Sequence, residues 1–119
     1  MLPLEKILKA AENADILMCC IALTDQTRNM INRDVFEVLP EKAVFVNVSR
    51  GGLVEEQALL DWLRSDRALG AVLDVFETEP LPYDSPLWDM EKAIVTPHNS
   101  FVGEGNHERL WNCIKECFL

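Results

Sequence analysis

The sequence predicts an α/β fold built on a mostly parallel β-sheet. Three observations carry that expectation. Four short apolar runs alternate along the chain with segments of helical periodicity. The first run is continuously apolar rather than alternating, the pattern of a strand covered on both faces. Polar stretches rich in Gly or Pro punctuate the runs. At 119 residues and 49% apolar composition, the chain reads as one globular domain, long enough to bury roughly two-thirds of its extended surface.

Each element has its own signal. Leu4, Ile7, Leu8 and Ala11 recur at helical spacing, with Pro3 in a position tolerated in an opening turn. Asp15 leads into the run Ile16 to Ile21, read as the first strand, and Thr24 to Arg28 is loop-like. A short helix carrying Val35, Phe36, Val38 and Leu39 is expected to be capped by Asn32 and stopped by Pro40. Ala43 to Val48 reads as the second strand, broken by Ser49-Arg50-Gly51-Gly52. From about Glu55 to Arg64 a helix presents Ala58, Leu59, Trp62 and Leu63 on one face. Gly70 punctuates before a third strand, Ala71 to Phe76, and Glu79 to Pro86 holds three of the six prolines, so a rigid loop is expected. Ala93 to Val95 is a short fourth strand ending at Thr96-Pro97-His98. Leu110, Trp111, Ile114, Cys117 and Phe118 mark a terminal amphipathic helix.

Charge and cysteine usage narrow the function classes. The net charge of −9 disfavours nucleic acid and anionic membrane as partners, since both repel so acidic a chain. The longest purely apolar stretch, Ile16 to Leu23, is far short of the ~20 residues a spanning helix needs, and no signal peptide is read at the start. The four cysteines show no zinc spacing. They read as reduced, mostly buried thiols of a cytoplasmic protein, with no metal site.

Ligands of parallel sheets collect beyond the carboxyl ends of the strands, so the residues just after each strand are the candidates for chemistry. Arg50 stands before two glycines, where backbone could approach a ligand closely and the guanidinium offers a fork suited to a carboxylate. It reads equally well as a surface arginine before a helix. Glu79 and His98 lie on different strand-end loops, each beside a proline. A carboxylate next to a histidine selects its tautomer and favours the charged ring, a proton-transfer pair. A capping or core histidine is the plainer alternative, as a turn cap is for Asp74. His107, at the start of the last helix, is given no role.

The combination and order of several segments decide between these readings. They are Asn47-Val48-Ser49-Arg50-Gly51-Gly52-Leu53-Val54-Glu55-Glu56, Leu73-Asp74-Val75-Phe76-Glu77-Thr78-Glu79-Pro80-Leu81-Pro82, Pro86-Leu87-Trp88 and Ile94-Val95-Thr96-Pro97-His98. Together with the Asp15-Ile16 strand and the loop Leu23-Thr24-Asp25-Gln26-Thr27-Arg28, they closely resemble the signature segments of the D-isomer-specific 2-hydroxyacid dehydrogenases. The resemblance runs from about Leu2 to the end of the chain.

That resemblance implies a partial Rossmann-like, doubly wound parallel sheet with flanking helices, lacking the first βαβ unit. Residues 1–119 would be the C-terminal part of the NAD(P)-binding domain, running to the enzyme's own C-terminus. It implies Arg50, Glu79 and His98 as catalytic residues: Arg50 for the substrate carboxylate, His98 as acid/base, Glu79 as its partner. Thr24, Val48, Ser49, Arg50, Asp74 and His98 are implied on the cofactor side, with NAD or NADP as cofactor. The implied reaction is reversible hydride transfer between a D-2-hydroxy acid and its 2-oxo acid.

Some features depart from the family pattern. No Gly-x-Gly-x-x-Gly turn occurs in these residues, and Gly103 and Gly105 follow no strand-to-helix turn of that kind. Ala22 stands where the family usually has proline, and Asn99-Ser100-Phe101 follows His98 in place of the commoner apolar-Gly run. Glutamate at position 79 argues against the formate dehydrogenase branch. Three readings follow: a chain with the full triad but half a cofactor site, inactive alone; an assembly completed by a second copy or separate chain, with a homodimer expected through the exposed sheet edge; or a non-catalytic nucleotide-binding or oligomerisation module.

Overall fold

The computed structural model describes residues 4–118. In chain order the elements are α1 (Leu4–Ala11), β1 (Ile16–Cys19), α2 (Arg33–Val38), β2 (Ala43–Asn47), α3 (Glu56–Arg64), β3 (Ala68–Leu73), β4 (Ala93–Val95) and α4 (Asn106–Phe118). Two 3-10 turns, Gly51–Leu53 and Pro86–Asp89, add structure the sequence pattern does not announce. The Pro3 opening turn and the side chains of Cys117 and Phe118 lie outside the described residues.

The four strands form one parallel sheet in the order β1-β2-β3-β4. Cys19 pairs with Asn47, Asn47 with Leu73 and Leu73 with Val95, so all four strands end at one level. Every loop leaving a carboxyl end therefore starts from the same edge of the sheet.

One face of the sheet carries the core. Leu17 and Cys19, Ala43 and Phe45, and Ala71 and Leu73 point there and are buried or half-buried. Phe45 is fully buried, its ring 5.3 Å from Phe36 of α2 in an edge-to-face contact. Phe36 in turn stacks on Trp62 of α3 at 5.2 Å, so three aromatic rings tie β2 to both helices. The Asn32 side chain caps α2, accepting from the Val35 N–H at 3.3 Å as the sequence predicts.

The opposite face departs from expectation. Ile16 and Met18 are 63% and 54% exposed, Ile94 is 61% exposed, and Val44, Val46 and Val72 are only half-buried. The continuous run in β1 is thus a sheet-edge strand covered on one side, because the described helices α1, α2 and α3 pack around the Phe45 face. On α4, Leu110, Trp111 and Ile114 are likewise exposed.

Strand boundaries also shift. β3 starts at Ala68, before Gly70, and ends at Leu73 rather than Phe76. Gly70 is not a break: a Cβ there would lie 2.8 Å from the Lys92 carbonyl oxygen, so glycine lets the chain leading into β4 come close. The cysteines are not mostly buried. Cys19 is, while Cys20 and Cys113 are exposed. Burial, with Cys20 adjacent, pushes the Cys19 thiol up to about 12, so it stays protonated.

Truncating Phe45 to Ala should cost about 3–5 kcal/mol, the range for a large buried aromatic. Urea denaturation followed by tryptophan fluorescence measures it. A loss below about 1 kcal/mol would mean that the aromatic cluster does not hold the helices on the sheet.

Candidate active site

The two buried polar residues among those described, Asn47 and Asp74, sit side by side at the ends of β2 and β3. The Asp74 N–H donates to the Asn47 carbonyl at 3.0 Å, which carries the sheet ladder one step past the strands. Asn47 then shapes the next turn with its side chain. Its Oδ1 accepts from the Ser49 N–H at 3.1 Å and its Nδ2 donates to the Arg50 carbonyl at 3.0 Å. This folds the backbone so that Arg50 emerges exposed at the carboxyl edge, its guanidinium 2.6 Å from the Ser49 carbonyl. Asn47 heads a segment that the sequence singles out, but its role in shaping the turn is not assigned there; an Asn at a strand end ahead of Ser-Arg-Gly-Gly was the available signal.

The glycines after Arg50 serve the chain itself. A Cβ on Gly51 would lie 1.9 Å from the Phe76 carbonyl carbon, so this turn packs directly on the backbone leaving β3. Gly52 lies beneath the Arg28–Glu77 ion pair, with Glu77 Oε2 at 2.8 Å from its would-be Cβ. That ion pair, 2.8 Å long and half exposed at both ends, joins the loops after β1 and β3 and stabilises little by itself. The close approach these glycines permit within the chain is to the neighbouring loop.

His98 and Glu79 meet. His98 Nδ1 lies 2.7 Å from Glu79 Oε2, and Glu79 Oε1 accepts from the Phe76 N–H at 2.9 Å. Burial opposes ionisation of Glu79. The His98 ring, the Phe76 N–H and the nearby Arg50 charge outweigh it and hold the carboxyl below its ordinary range. Nε2, the other ring nitrogen of His98, makes no hydrogen bond among the described residues. A cleft of about 630 Å³ opens beside the pair, walled by Phe76, Pro80, Leu81, Trp88, Val95, Thr96 and Pro97. Trp88 is held there by its indole N–H, 2.8 Å from the Pro82 carbonyl.

The remaining candidates divide. Thr24 closes a local turn, its N–H donating to Thr27 Oγ1 at 2.7 Å and its carbonyl accepting from Thr27 and Arg28. Val48 is half-buried beside Ser49, whose hydroxyl donates to the Ile21 carbonyl and ties the β2 loop to the β1 loop. Asp74 faces its own chain, accepting from the Thr96 hydroxyl at 2.5 Å and from the N–H groups of Asn99 and Ser100 at 2.9 and 2.8 Å. Burial works against its charge, and those donors hold its carboxyl well below the usual carboxylate range. Thus Glu79 and His98 meet, and the Arg50 charge lies near Glu79 without a hydrogen bond or ion pair to either among the described residues. Asp74 binds the loop that carries His98, and Thr24 lies in a turn of its own. No cluster of three or more His, Cys, Asp or Glu placed to hold a metal, and no helix long and apolar enough to cross a membrane, occurs among the described residues.

Residues 2–100 match the family model described as D-isomer specific 2-hydroxyacid dehydrogenase, NAD binding domain. The chain is 40% identical over 101 residues to a glyoxylate/hydroxypyruvate reductase B of Enterobacter sp. (strain 638), covering 85% of this chain and 30% of that protein. The chain therefore spans under a third of the length of that relative. Among solved structures it resembles a D-isomer specific 2-hydroxyacid dehydrogenase of Xanthobacter autotrophicus Py2 in complex with NADPH and MES. The TM-score is 0.76 at 44% identity, over 79% of this chain and 30% of that one. It also resembles an NADPH-dependent glyoxylate/hydroxypyruvate reductase of Sinorhizobium meliloti in apo form, with a TM-score of 0.78 at 32% identity, over 95% of this chain and 48% of that one.

Both Asp74 and Glu79 have folded-state pKa values below their ordinary 3.8 and 4.5. Their stabilisation is present above those values and lost as pH falls through the lowered ones. The melting temperature should hold steady near neutrality and fall once pH drops below about 4.5. A melting curve unchanged down to the bottom of the carboxylate range would contradict this. Gly51→Ala should lower the melting temperature at every pH, since its methyl has no room against Phe76.

Proposed function

The chain belongs to the D-isomer specific 2-hydroxyacid dehydrogenase family, and from that premise we propose that it is the C-terminal part of an NAD(P)-binding domain whose work is reversible hydride transfer between a D-2-hydroxy acid and its 2-oxo acid. The observation that carries the reading is the 2.7 Å contact between His98 Nδ1 and Glu79 Oε2, with Nε2 left without a partner among the described residues. A histidine held at one nitrogen by an ionised carboxylate has its other nitrogen available for proton transfer.

A bound nicotinamide supplies the hydride in reduction and receives it in oxidation. The chain's own residues do the rest. Protonated at Nε2, His98 gives its proton to the substrate carbonyl oxygen as the charge there develops, and takes it back from the hydroxyl in reverse. Glu79 orients the ring and stabilises the imidazolium. Arg50 turns its guanidinium from the Ser49 carbonyl to the substrate carboxylate, which fixes C2 in place before reaction. Val48, Ser49 and Thr24 would line the cofactor side with Arg50 and His98, and Asp74 would stand behind them. The donor set fits a nicotinamide and an α-keto carboxylate, while a glycine-rich pyrophosphate turn is not among these residues. Glyoxylate and hydroxypyruvate are the substrates to try first, given the names of the relatives.

The same reading extends to partners. The outer edge of β1 ends the sheet, and Ile16 and Met18 beside it are exposed. An unpaired apolar edge favours pairing with a second copy, so a homodimer is proposed. The acidic balance speaks against nucleic acid and anionic membrane as partners. The free cysteines among the described residues, Cys19, Cys20 and Cys113, suit a reducing, cytoplasmic setting.

Turnover of NADH and NADPH with glyoxylate and hydroxypyruvate tests the chemistry, alongside fluorescence titration of each cofactor. His98→Ala should lose about 10²–10⁴-fold in kcat, the scale of general acid–base catalysis. Arg50→Ala should act mainly through KM. Near-normal turnover in His98→Ala would overturn the assignment. If neither cofactor binds up to millimolar concentration, the chain alone is no dehydrogenase. Sedimentation equilibrium reads the edge: a monomer at all concentrations would remove the dimer.

A further inference from the structure

Asp74 is the one buried charged side chain among the described residues, 1% exposed, and its carboxylate's partners come from a single segment. Oδ1 takes the Thr96 hydroxyl and the Asn99 N–H, and Oδ2 takes the Ser100 N–H. Thr96 is also tied by its N–H to the Leu73 carbonyl at 3.0 Å, as the last step of the β3–β4 ladder. The residues on either side of His98 are thus fastened to one carboxylate, while His98 itself is not.

The backbone at His98 shows what this fastening achieves. His98 has φ +52°, in the left-handed region that side-chain-bearing residues rarely occupy. Such a conformation persists only where its surroundings over-determine it. The His98 N–H reaches back to the Thr96 carbonyl at 3.1 Å, and immediately afterwards the N–H groups of Asn99 and Ser100 converge on Asp74. A segment curled around a carboxylate in this way turns the intervening side chain away from that carboxylate. Here the side chain is the imidazole, and the direction it takes is toward Glu79.

We propose that Asp74 is a positioning residue, whose buried carboxylate clamps the 96–100 segment and so holds His98 in the left-handed conformation that delivers Nδ1 to Glu79. The proposal deepens the reading of His98 as acid/base. It adds, to the place on the cofactor side that the resemblance implies for Asp74, an action through the loop. The charged groups around the ring are Glu79, hydrogen-bonded to it, Arg50 close to Glu79, and Asp74 itself on the far side of the loop. Of these, only Asp74 touches the backbone that sets the ring's direction.

The test needs no turnover. Donation of Nδ1–H to Glu79 selects the Nδ1–H tautomer of neutral His98, whereas a ring released into water prefers Nε2–H. The chain has two histidines, so a His107→Gln background leaves one imidazole, and its ¹⁵N shifts at alkaline pH read the tautomer directly. The parent should be mostly Nδ1–H. In Asp74→Asn the ratio of Nδ1–H to Nε2–H should fall by about fivefold or more, the scale of one lost hydrogen bond. Thr96→Val, which removes a single donor and leaves the carboxylate in place, should shift the ratio partway.

Amide spectra of Val35 and Phe45 report in parallel whether the core is intact. With an intact core, an unchanged tautomer in Asp74→Asn overturns the clamp; if that variant does not fold, an unchanged tautomer in folded Thr96→Val overturns it instead. A parent that is mostly Nε2–H would fail differently, by removing the His98–Glu79 pair on which the functional reading stands.

Discussion

Four parallel strands ending in register is the constraint from which the rest follows. Cys19, Asn47, Leu73 and Val95 stand at one level, so four loops leave the sheet together and must find room on a single edge. They do so by binding one another. The Ser49 hydroxyl donates to the Ile21 carbonyl, Gly51 packs on Phe76, and Asp74 gathers the loop after β4. An antiparallel arrangement would have sent alternate loops to opposite ends and kept Glu79, after β3, apart from His98, after β4.

Burial and polarity are divided along the same direction. Below the edge the sheet is held to its helices by the apolar area and packing of Phe36, Phe45 and Trp62. This packing leaves the Trp62 indole N–H buried without a hydrogen-bond partner among the described residues. At the edge Asn47 and Asp74 are buried as deeply as those rings, which is tolerable only because each is supplied with hydrogen bonds. Beyond it Arg50, Glu79 and His98 are open to solvent or half so. These exposed charged groups are therefore backed by a layer of satisfied polar groups, and that layer rests on the core. This order gives a loop-borne histidine a fixed direction without burying it.

The second face of the sheet has no such backing among the described residues. Ile16, Met18 and Ile94 lie exposed there, and the apolar stripe of α4 is exposed as well. The matched region is 30% of two of the family relatives named above and 48% of the third. Apolar area left open in this chain is what further polypeptide, from the same chain or from a second copy, would cover.

Much of this was legible in the residues themselves. Asn32 as a cap, Ala43 as a strand start, and Ala93 to Val95 as the last strand follow from local chemistry, because caps and short apolar runs depend on neighbours in sequence. The pairing of Glu79 with His98 was legible only through motif resemblance, since their separation of 19 positions contains no local signal that they meet. Three matters were settled by tertiary structure alone. The Ile16 run is covered on one face, because coverage depends on where the helices pack. Gly51 and Gly70 serve close approach to Phe76 and Lys92, neighbours that exist only in the fold. Asp74 spends its carboxylate on Thr96, Asn99 and Ser100, because the parallel register sets the end of β3 beside the end of β4. The sequence by itself determined the number and order of the strands, the cap and the charged candidates; the bounds of β1 and β3 and the direction each charge faces were decided by long-range pairing, which no local pattern encodes.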